Sequence, residues 1–273
     1  MNILFWNVNK KALDECLLEI IIEKNCDLIG LAEYPKDIQS LCNKVNLYSR
    51  EEYKVVTNYG GCQKIKALIK EEYNVESLSE QSRYHIALIQ TTAFKLIIAM
   101  IHNISKVHPT LEEQKENLRQ FHYDIERIEF ENQTRNVLVM GDLNVNPFEE
   151  TCIAANTIHA IPYVEELNKD GRQIQERMYR EFYNPMWKFL GRVEPPYGTC
   201  FYNNSKIINY FWNIFDQFLI RPELLDALDN NSLEIITTVG ERSLLKENYK
   251  PNRQKYSDHL PIYVRLKGEK IYE

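Results

Sequence analysis

Apolar and polar positions fall in blocks along the chain. Residues 3–6 are an unbroken apolar run, Leu13, Cys16, Leu17, Ile20 and Ile21 recur at helical spacing, and 28–32 are apolar again. The pattern predicts a strand, a helix and a strand. A continuous apolar run suits a strand covered on both faces. A strand–helix–strand crossover is almost always right-handed, so the two strands should be parallel neighbours, with Asn7 and Glu33 at one edge of a sheet. Further on, residues 86–90 and 96–101 read as an antiparallel pair turning at Thr91-Thr92-Ala93, with His102 where the second strand gives way to a loop. Leu118, Phe121, Ile125 and Ile128 form a helical stripe, and 137–140 form a buried strand running into Gly141-Asp142-Leu143-Asn144. Residues 150–195 read mainly as helix and loop, and 214–220 and 262–266 supply two closing strands.

Composition adds limits. With 273 residues, 44% hydrophobic and 26% charged, the chain has the make-up of a soluble globular protein, and one enzyme-sized domain over 1–273 with a helical and loop elaboration around 150–210 is expected. The 9 glycines and 10 prolines are unclustered and no fixed-period repeat is present, which excludes collagen-like, linker-rich and solenoid architectures. The richest apolar stretch, 96–104, already contains His102 and Asn103, so no membrane span is expected. Met1-Asn2-Ile3-Leu4 has no basic leader and does not read as a secretory signal. The 6 cysteines are scattered without a C-x-x-C pair, which argues against a disulfide framework and a zinc cage and for reduced thiols in a cytoplasmic protein. The net charge of −6 means that a polyanionic partner must be met by a local basic surface or by bound cations.

In open α/β sheets, ligands lie beyond the carboxyl ends of strands. The polar residues gathered there are Asn7, Asn9, Glu33, His102, Asp142, Asn144, Asp216, Asp258 and His259. Glu33 follows an apolar strand, where a carboxylate is costly unless something positive meets it, although an exposed loop position would also accommodate it. Asp142 and Asn144 can face one way if the backbone between them is extended; taken alone, the segment is also an ordinary turn. Ile214, Asp216, Phe218 and Ile220 share one face of a predicted strand, so Asp216 should be half-buried and in need of a donor. The Asp258-His259 pair supplies an imidazole, which needs a carboxylate on one nitrogen to aim the other at a substrate. A lone Asp-His dipeptide, like a lone His102, is also common core or surface filler.

Taken in order, Phe5-Trp6-Asn7-Val8-Asn9, Asp27-Leu28-Ile29-Gly30-Leu31-Ala32-Glu33, Ile101-His102, Met140-Gly141-Asp142-Leu143-Asn144, Ile214-Phe215-Asp216 and Tyr256-Ser257-Asp258-His259 resemble the endonuclease/exonuclease/phosphatase (deoxyribonuclease I-like) superfamily. The resemblance spans residues 3 to about 266 and thins out over 150–210. It implies a four-layer α/β sandwich of two mixed sheets, with a phosphoesterase site at one edge that uses a divalent metal. Carried over position by position, Glu33 would be the main metal ligand, with Asn7 beside it and Asp258 helping the metal or the water. Asn9 stands where some relatives have an Asp and would face substrate. Asp142 and Asn144 would orient the attacking water and the phosphate, and Asp216 would hold His259. His102 matches the deoxyribonuclease-like and sphingomyelinase-like branches; the abasic endonucleases have a Tyr there. The oxygen-rich donor set suits Mg²⁺ or Mn²⁺ and not zinc.

Two basic stretches suggest nucleic acid, with DNA first, as the substrate: Arg172, Arg177, Arg180, Tyr183, Trp187, Lys188 and Arg192, then Arg242, Lys246, Lys250, Arg253 and Lys255. The second leads directly into Ser257-Asp258-His259 and is the better phosphate-gripping candidate, with Arg253 and Lys255 nearest the site. The alternatives are a small phosphorylated molecule or lipid of the phosphoinositide or sphingomyelin type, and a binding protein with an idle site.

Overall fold

The computed structural model describes residues 1–105, 110–205, 207–268 and 271. Two mixed sheets pack face to face. The first runs Leu228–Ile235, Ile262–Leu266, Asn2–Asn7, Leu28–Ala32, Ile65–Lys70, Tyr53–Val55 across its width. The second runs Asn74–Gln81, Tyr84–Gln90, Lys95–His102, Val137–Asp142, Asp216–Ile220, Phe182–Tyr183, Ala160–Ile161. The expected strand–helix–strand unit is present as a parallel pair, Asn2–Asn7 beside Leu28–Ala32, joined through the helix Asp14–Glu23. That helix and Ile38–Tyr48 pack on the first sheet, and Leu111–Asn132 packs on the second. The result is the four-layer α/β sandwich that the resemblance implied. No helix among the described residues is long and apolar enough to cross a membrane.

Side-chain alternation shows how the layers are made. In the second sheet Leu96, Ile98, Met100, Leu138, Met140, Phe218 and Ile220 join the core between the sheets, while Ile97, Ala99, Ile101, Val137, Val139 and Leu219 pack beneath Leu118, Phe121, Ile125 and Ile128 of the long helix. The long helix begins with a capping box between Thr110 and Glu113, which satisfies two of its free amide groups. Glycine is needed at Gly141, where a Cβ would stand 2.0 Å from the Ile101 carbonyl oxygen, because the two parallel strands approach closely there.

At the opposite end of the Asp216–Ile220 strand from Asp216, about 17 Å away at strand rise, Arg221 is completely buried. Its Nε donates to Glu129 Oε1 at 2.7 Å, its Nη2 lies 3.2 Å from His122 Nε2, and its guanidinium sits 3.9 Å from the centre of the Phe182 ring. This ionic knot ties the long helix to the second sheet.

Residues 150–195 differ from the helix and loop expected of them. They contain a single-turn helix, Glu150–Ile153, two 3-10 turns and four strands of two or three residues, Ala160–Ile161, Arg172–Ile174, Arg177–Tyr179 and Phe182–Tyr183. Segments this short have no periodicity to read; Arg172–Ile174 and Arg177–Tyr179 are defined by pairing with each other, and Phe182–Tyr183 and Ala160–Ile161 by joining the second sheet.

Candidate active site

The rows of side chains facing the inter-sheet core end in polar groups at one edge. Met100 is followed in phase by His102 and Met140 by Asp142, while Phe218 is preceded by Asp216; in the first sheet Phe5 is followed by Asn7. Register then places them together. His102 is opposite Asp142 in the parallel pair Lys95–His102 and Val137–Asp142, and Asp142 is opposite Asp216 in the antiparallel one. Asp258 and His259 precede the strand Ile262–Leu266, whose Ile262 is opposite Phe5, so they reach the same edge. The site therefore takes residues from the amino ends of the antiparallel strands as well as from the carboxyl ends of the parallel ones.

Asn7, Asn9, Glu33, His102, Asp142, Asn144, Asp258 and His259 line one cavity of about 590 Å³, together with Lys10, Ser105, Cys200, Tyr202, Asn204 and Phe215. Asp216 lies behind His259 and is wholly buried, not half-buried as the sequence suggested, because the loop through Thr199 and Cys200 covers it; Thr199 Oγ1 accepts from the Asp216 amide at 3.2 Å. Asp216 Oδ2 meets His259 Nδ1 at 2.7 Å, which leaves His259 Nε2 facing Asp142 Oδ2 at 4.0 Å. Asn7 Nδ2 donates to Asp142 Oδ2 at 2.9 Å, the Asn144 amide donates to Asp142 Oδ1 at 2.9 Å, and Asn9 Nδ2 donates to Asp258 Oδ1 at 2.8 Å. His102 Nε2 is 3.6 Å from Asp142 Oδ2 and 3.7 Å from Glu33 Oε1. Among the described residues, the Glu33 carboxylate has no closer polar partner than His102.

Charge is distributed unevenly over this cluster. Burial disfavours the charged form of His259, but the adjoining Asp216 carboxylate more than reverses that and holds its pKa well above the usual imidazole value. Burial lowers His102 to about 4 against the pull of Asp142, so His102 is neutral at pH 7. Burial raises Asp142, an effect opposed by the nearby His259 imidazolium. Burial also raises the Cys200 thiol, which keeps it protonated and unreactive.

Four residues of this cavity hold left-handed backbone: Asn9 (φ 47°), Lys10 (φ 57°), Glu33 (φ 55°) and Asn144 (φ 53°). Such a conformation costs non-glycine residues about 1–3 kcal/mol each and persists only where surrounding contacts enforce it. Here the amides of Val8 and Lys10 donate to the carbonyls of Ala32 and Glu33, so the parallel pairing continues through the turn and presents the Asn9 and Glu33 side chains to the cavity.

Several contributors were not singled out from sequence. Ser257 Oγ donates to the Asn7 carbonyl at 2.6 Å and accepts from the His259 amide at 3.0 Å, which splices the first strand to the last loop. Asn103 Nδ2 donates to the Leu143 carbonyl, and its own carbonyl accepts from Asn144 Nδ2. Trp6 Nε1 donates to the His259 carbonyl. The only available sign of Ser257 was its place in the Ser-Asp-His motif; Asn103 and Trp6 act through main-chain partners that no spacing rule identifies.

The two basic stretches have different positions. In the first, Arg180 is bound to Glu129 and Glu223, at the Arg221 end of the sheet, and Lys188 donates to the carbonyls of Asn230 and Leu233, so both serve the scaffold. In the second, Lys246, Lys250 and Arg253 line a smaller cavity of about 240 Å³ beside the first, while Lys255 is exposed and lines neither.

No family model matches the chain, and no curated protein matches it in sequence. Solved structures do match. The chain is similar to TDP2 from D. rerio, crystallised with a single-strand DNA product (TM-score 0.57, 18% identity, 97% of each chain covered). It is also similar to the endonuclease domain of TRAS1, a telomere-specific non-LTR retrotransposon (TM-score 0.57, 12% identity, 97% of this chain and 98% of that one). A third match is an endonuclease/exonuclease/phosphatase family protein from Bacteroides thetaiotaomicron (TM-score 0.55, 11% identity, 97% of each chain). The fold is thus that of the endonuclease/exonuclease/phosphatase superfamily, the one the sequence resembles.

Proposed function

We propose that this protein is a divalent-metal-dependent phosphodiesterase that hydrolyses nucleic acid by direct attack of water. The observation that carries the proposal is the convergence of Glu33, Asn7, Asp142, Asp258, His102 and an Asp216-held His259 on one cavity. The similarity of the fold to TDP2 bound to a DNA product and to the TRAS1 endonuclease supports nucleic acid as the substrate class.

The residues fit a hard cation. Glu33 is a largely buried carboxylate whose one ion-pair contact among the described residues is to a neutral imidazole, His102, 3.7 Å away. Glu33, with Asn7 and Asp258, would hold Mg²⁺ or Mn²⁺ through oxygen, as such ions prefer. Atoms of Asp142, Asp216 and His259 lie within 4.8 Å of one another, but Asp216 and His259 Nδ1 already satisfy each other, so the Glu33 side suits the ion better. When bound, the cation offsets charge on the phosphoryl oxygens.

The chain's own groups supply the rest. Of the base and cation roles open to His259, its raised pKa favours the cation, with Nε2 donating to a phosphoryl oxygen. Asp142, fixed through both oxygens by Asn7 and Asn144, accepts the proton of the attacking water. Neutral His102 can donate one hydrogen bond to water or phosphate, and Asn144, Asn9 and Arg253 position the substrate. Water adds to phosphorus as the ester P–O bond breaks, and the departing oxygen takes a proton from solvent to leave as the alcohol. No covalent intermediate is required, because water itself is the nucleophile.

The purified protein should cleave single-stranded DNA, duplex DNA or RNA in Mg²⁺ or Mn²⁺ and lose that activity on chelation. Release of phosphate from soluble inositol phosphates, with every nucleic acid left intact, would transfer the chemistry to a small substrate. Survival of all substrates would refute it.

A further inference from the structure

Tyr202 and Asp258 line both the main cavity and the smaller one beside it, so the two adjoin. The smaller cavity has two kinds of wall. Lys246, Lys250 and Arg253 supply one, and Phe201 and Tyr202 the other. None of the three cations has an ion-pair partner among the described residues, whereas Arg242 of the same stretch is paired with Glu19. Asp258, the acid of the cavity, already accepts from Asn9. In a chain of net charge −6, three unpaired cations around one hollow form a local positive site that repels itself until an anion arrives.

The site is built in advance. The Lys246 amide donates to the Lys250 carbonyl and the Asn252 amide to the Leu244 carbonyl, which closes the loop and sets Lys246 beside Lys250. Lys11 Nζ donates to the carbonyls of Arg253, Gln254 and Tyr256 and clamps the loop from the turn that follows the first strand. On the other wall, Lys250 Nζ lies 4.1 Å from the centre of the Phe201 ring, and the rings continue outward through Phe211, stacked on Phe201 at 6.4 Å and about half exposed.

Cations that follow a backbone beside aromatic side chains are the device by which proteins hold single-stranded nucleic acid. We infer that this cavity binds a nucleotide flanking the scissile phosphate of a single strand, with its phosphate on Lys246, Lys250 and Arg253 and its base against Phe201 and Tyr202. A duplex keeps its bases stacked on one another and offers these rings nothing to stack on. The inference rests on the hydrolytic reading for the identity of the neighbouring cavity, but binding can be measured without turnover.

The test is fluorescence anisotropy of labelled oligothymidylate, with oligouridylate as the RNA arm, in chelator. Phe201→Leu should raise Kd about tenfold, and Lys246→Ala should flatten the slope of log Kd against log salt by about 0.7. A duplex of equal length should compete poorly. Unchanged Kd and salt slope in both variants, no binding by the wild type, or equal competition by duplex would overturn the inference. Binding that the variants weaken, in a protein that hydrolyses nothing, would uphold this subsite and refute only the hydrolytic reading.

Discussion

Asp216→Asn isolates the charge behind His259. The amide can still accept from Nδ1, so the imidazole stays aimed, but the carboxylate that stabilises its proton is gone. Two unit charges about 4 Å apart at an effective dielectric of about 20 attract by about 4 kcal/mol, and one pKa unit corresponds to about 1.4 kcal/mol. His259 should therefore titrate at a clearly lower pH than in the wild type. Losing a charged donor to the phosphoryl oxygen costs about 100- to 1000-fold in kcat. The sign over pH is fixed by the raised value in the folded wild type. The wild type keeps its imidazolium through neutral pH and loses it only as pH climbs past that raised pKa. The variant loses it at lower pH, so the wild-type-to-variant rate ratio should grow as pH rises past the variant's His259 pKa. The pair's contribution to stability has the same sense: complete below the ordinary imidazole pKa and lost as pH rises through the raised one. A pH–rate profile together with an NMR titration of His259 reads both effects, with thermal melting as the folding control. A variant with wild-type kcat at neutral pH, or a His259 that titrates where the wild type does, would refute the reasoning.

Elsewhere, Arg221→Met should cost about 3–5 kcal/mol in urea unfolding, because Glu129 would keep a buried charge with only Arg180 left to meet it; a variant as stable as wild type would show that the knot contributes nothing. Acid should weaken the metal-free protein through His102. Its folded pKa of about 4 lies below its ordinary 6.5, so its contribution is complete above 6.5 and is lost as pH falls toward 4, by up to about 3 kcal/mol. Urea melts at several pH values should show a shallower acid loss in His102→Asn than in the wild type. Gly141→Ala should be far more damaging than Gly30→Ala, since its Cβ would meet the Ile101 carbonyl at 2.0 Å while that of Gly30 meets the movable end of Met140 at 2.7 Å. Equal melting temperatures for the two variants would contradict that packing.

The sequence was most informative where burial on both faces imposes a period. The strand–helix–strand unit over 2–32, the stripe on Leu111–Asn132 and the strands ending at His102 and Asp142 are of this kind, and the in-phase position of Asp216 placed it correctly on the core face. Patterning did not reveal helix Ile38–Tyr48, which buries only Leu41, Cys42 and Val45, or edge strand Asn74–Gln81, which is polar apart from Val75 and Leu78 and is a strand because it pairs with Tyr84–Gln90. Much the same holds for the site. Side chains at strand ends were visible, whereas the contacts of Ser257, Thr199, Asn103 and Lys11 depend on which main-chain groups the fold brings near. The sequence ranked the stretch holding Arg253 above the one holding Arg180 by its nearness to Ser257-Asp258-His259, but that Arg180 is a scaffold cation depends on the positions of Glu129 and Glu223.

The central claim is that oxygen-bearing side chains around Glu33 hold one divalent cation against a phosphodiester. Hydrolysis of a chromogenic phosphodiester as Mn²⁺ is raised, in wild type and in Glu33→Gln, tests it most directly, with circular dichroism confirming that both are folded. The account predicts wild-type turnover that depends on the metal and vanishes with chelator, and a variant that is inactive or needs far more metal. Turnover indifferent to chelator, or the same metal dependence in both proteins, would contradict it.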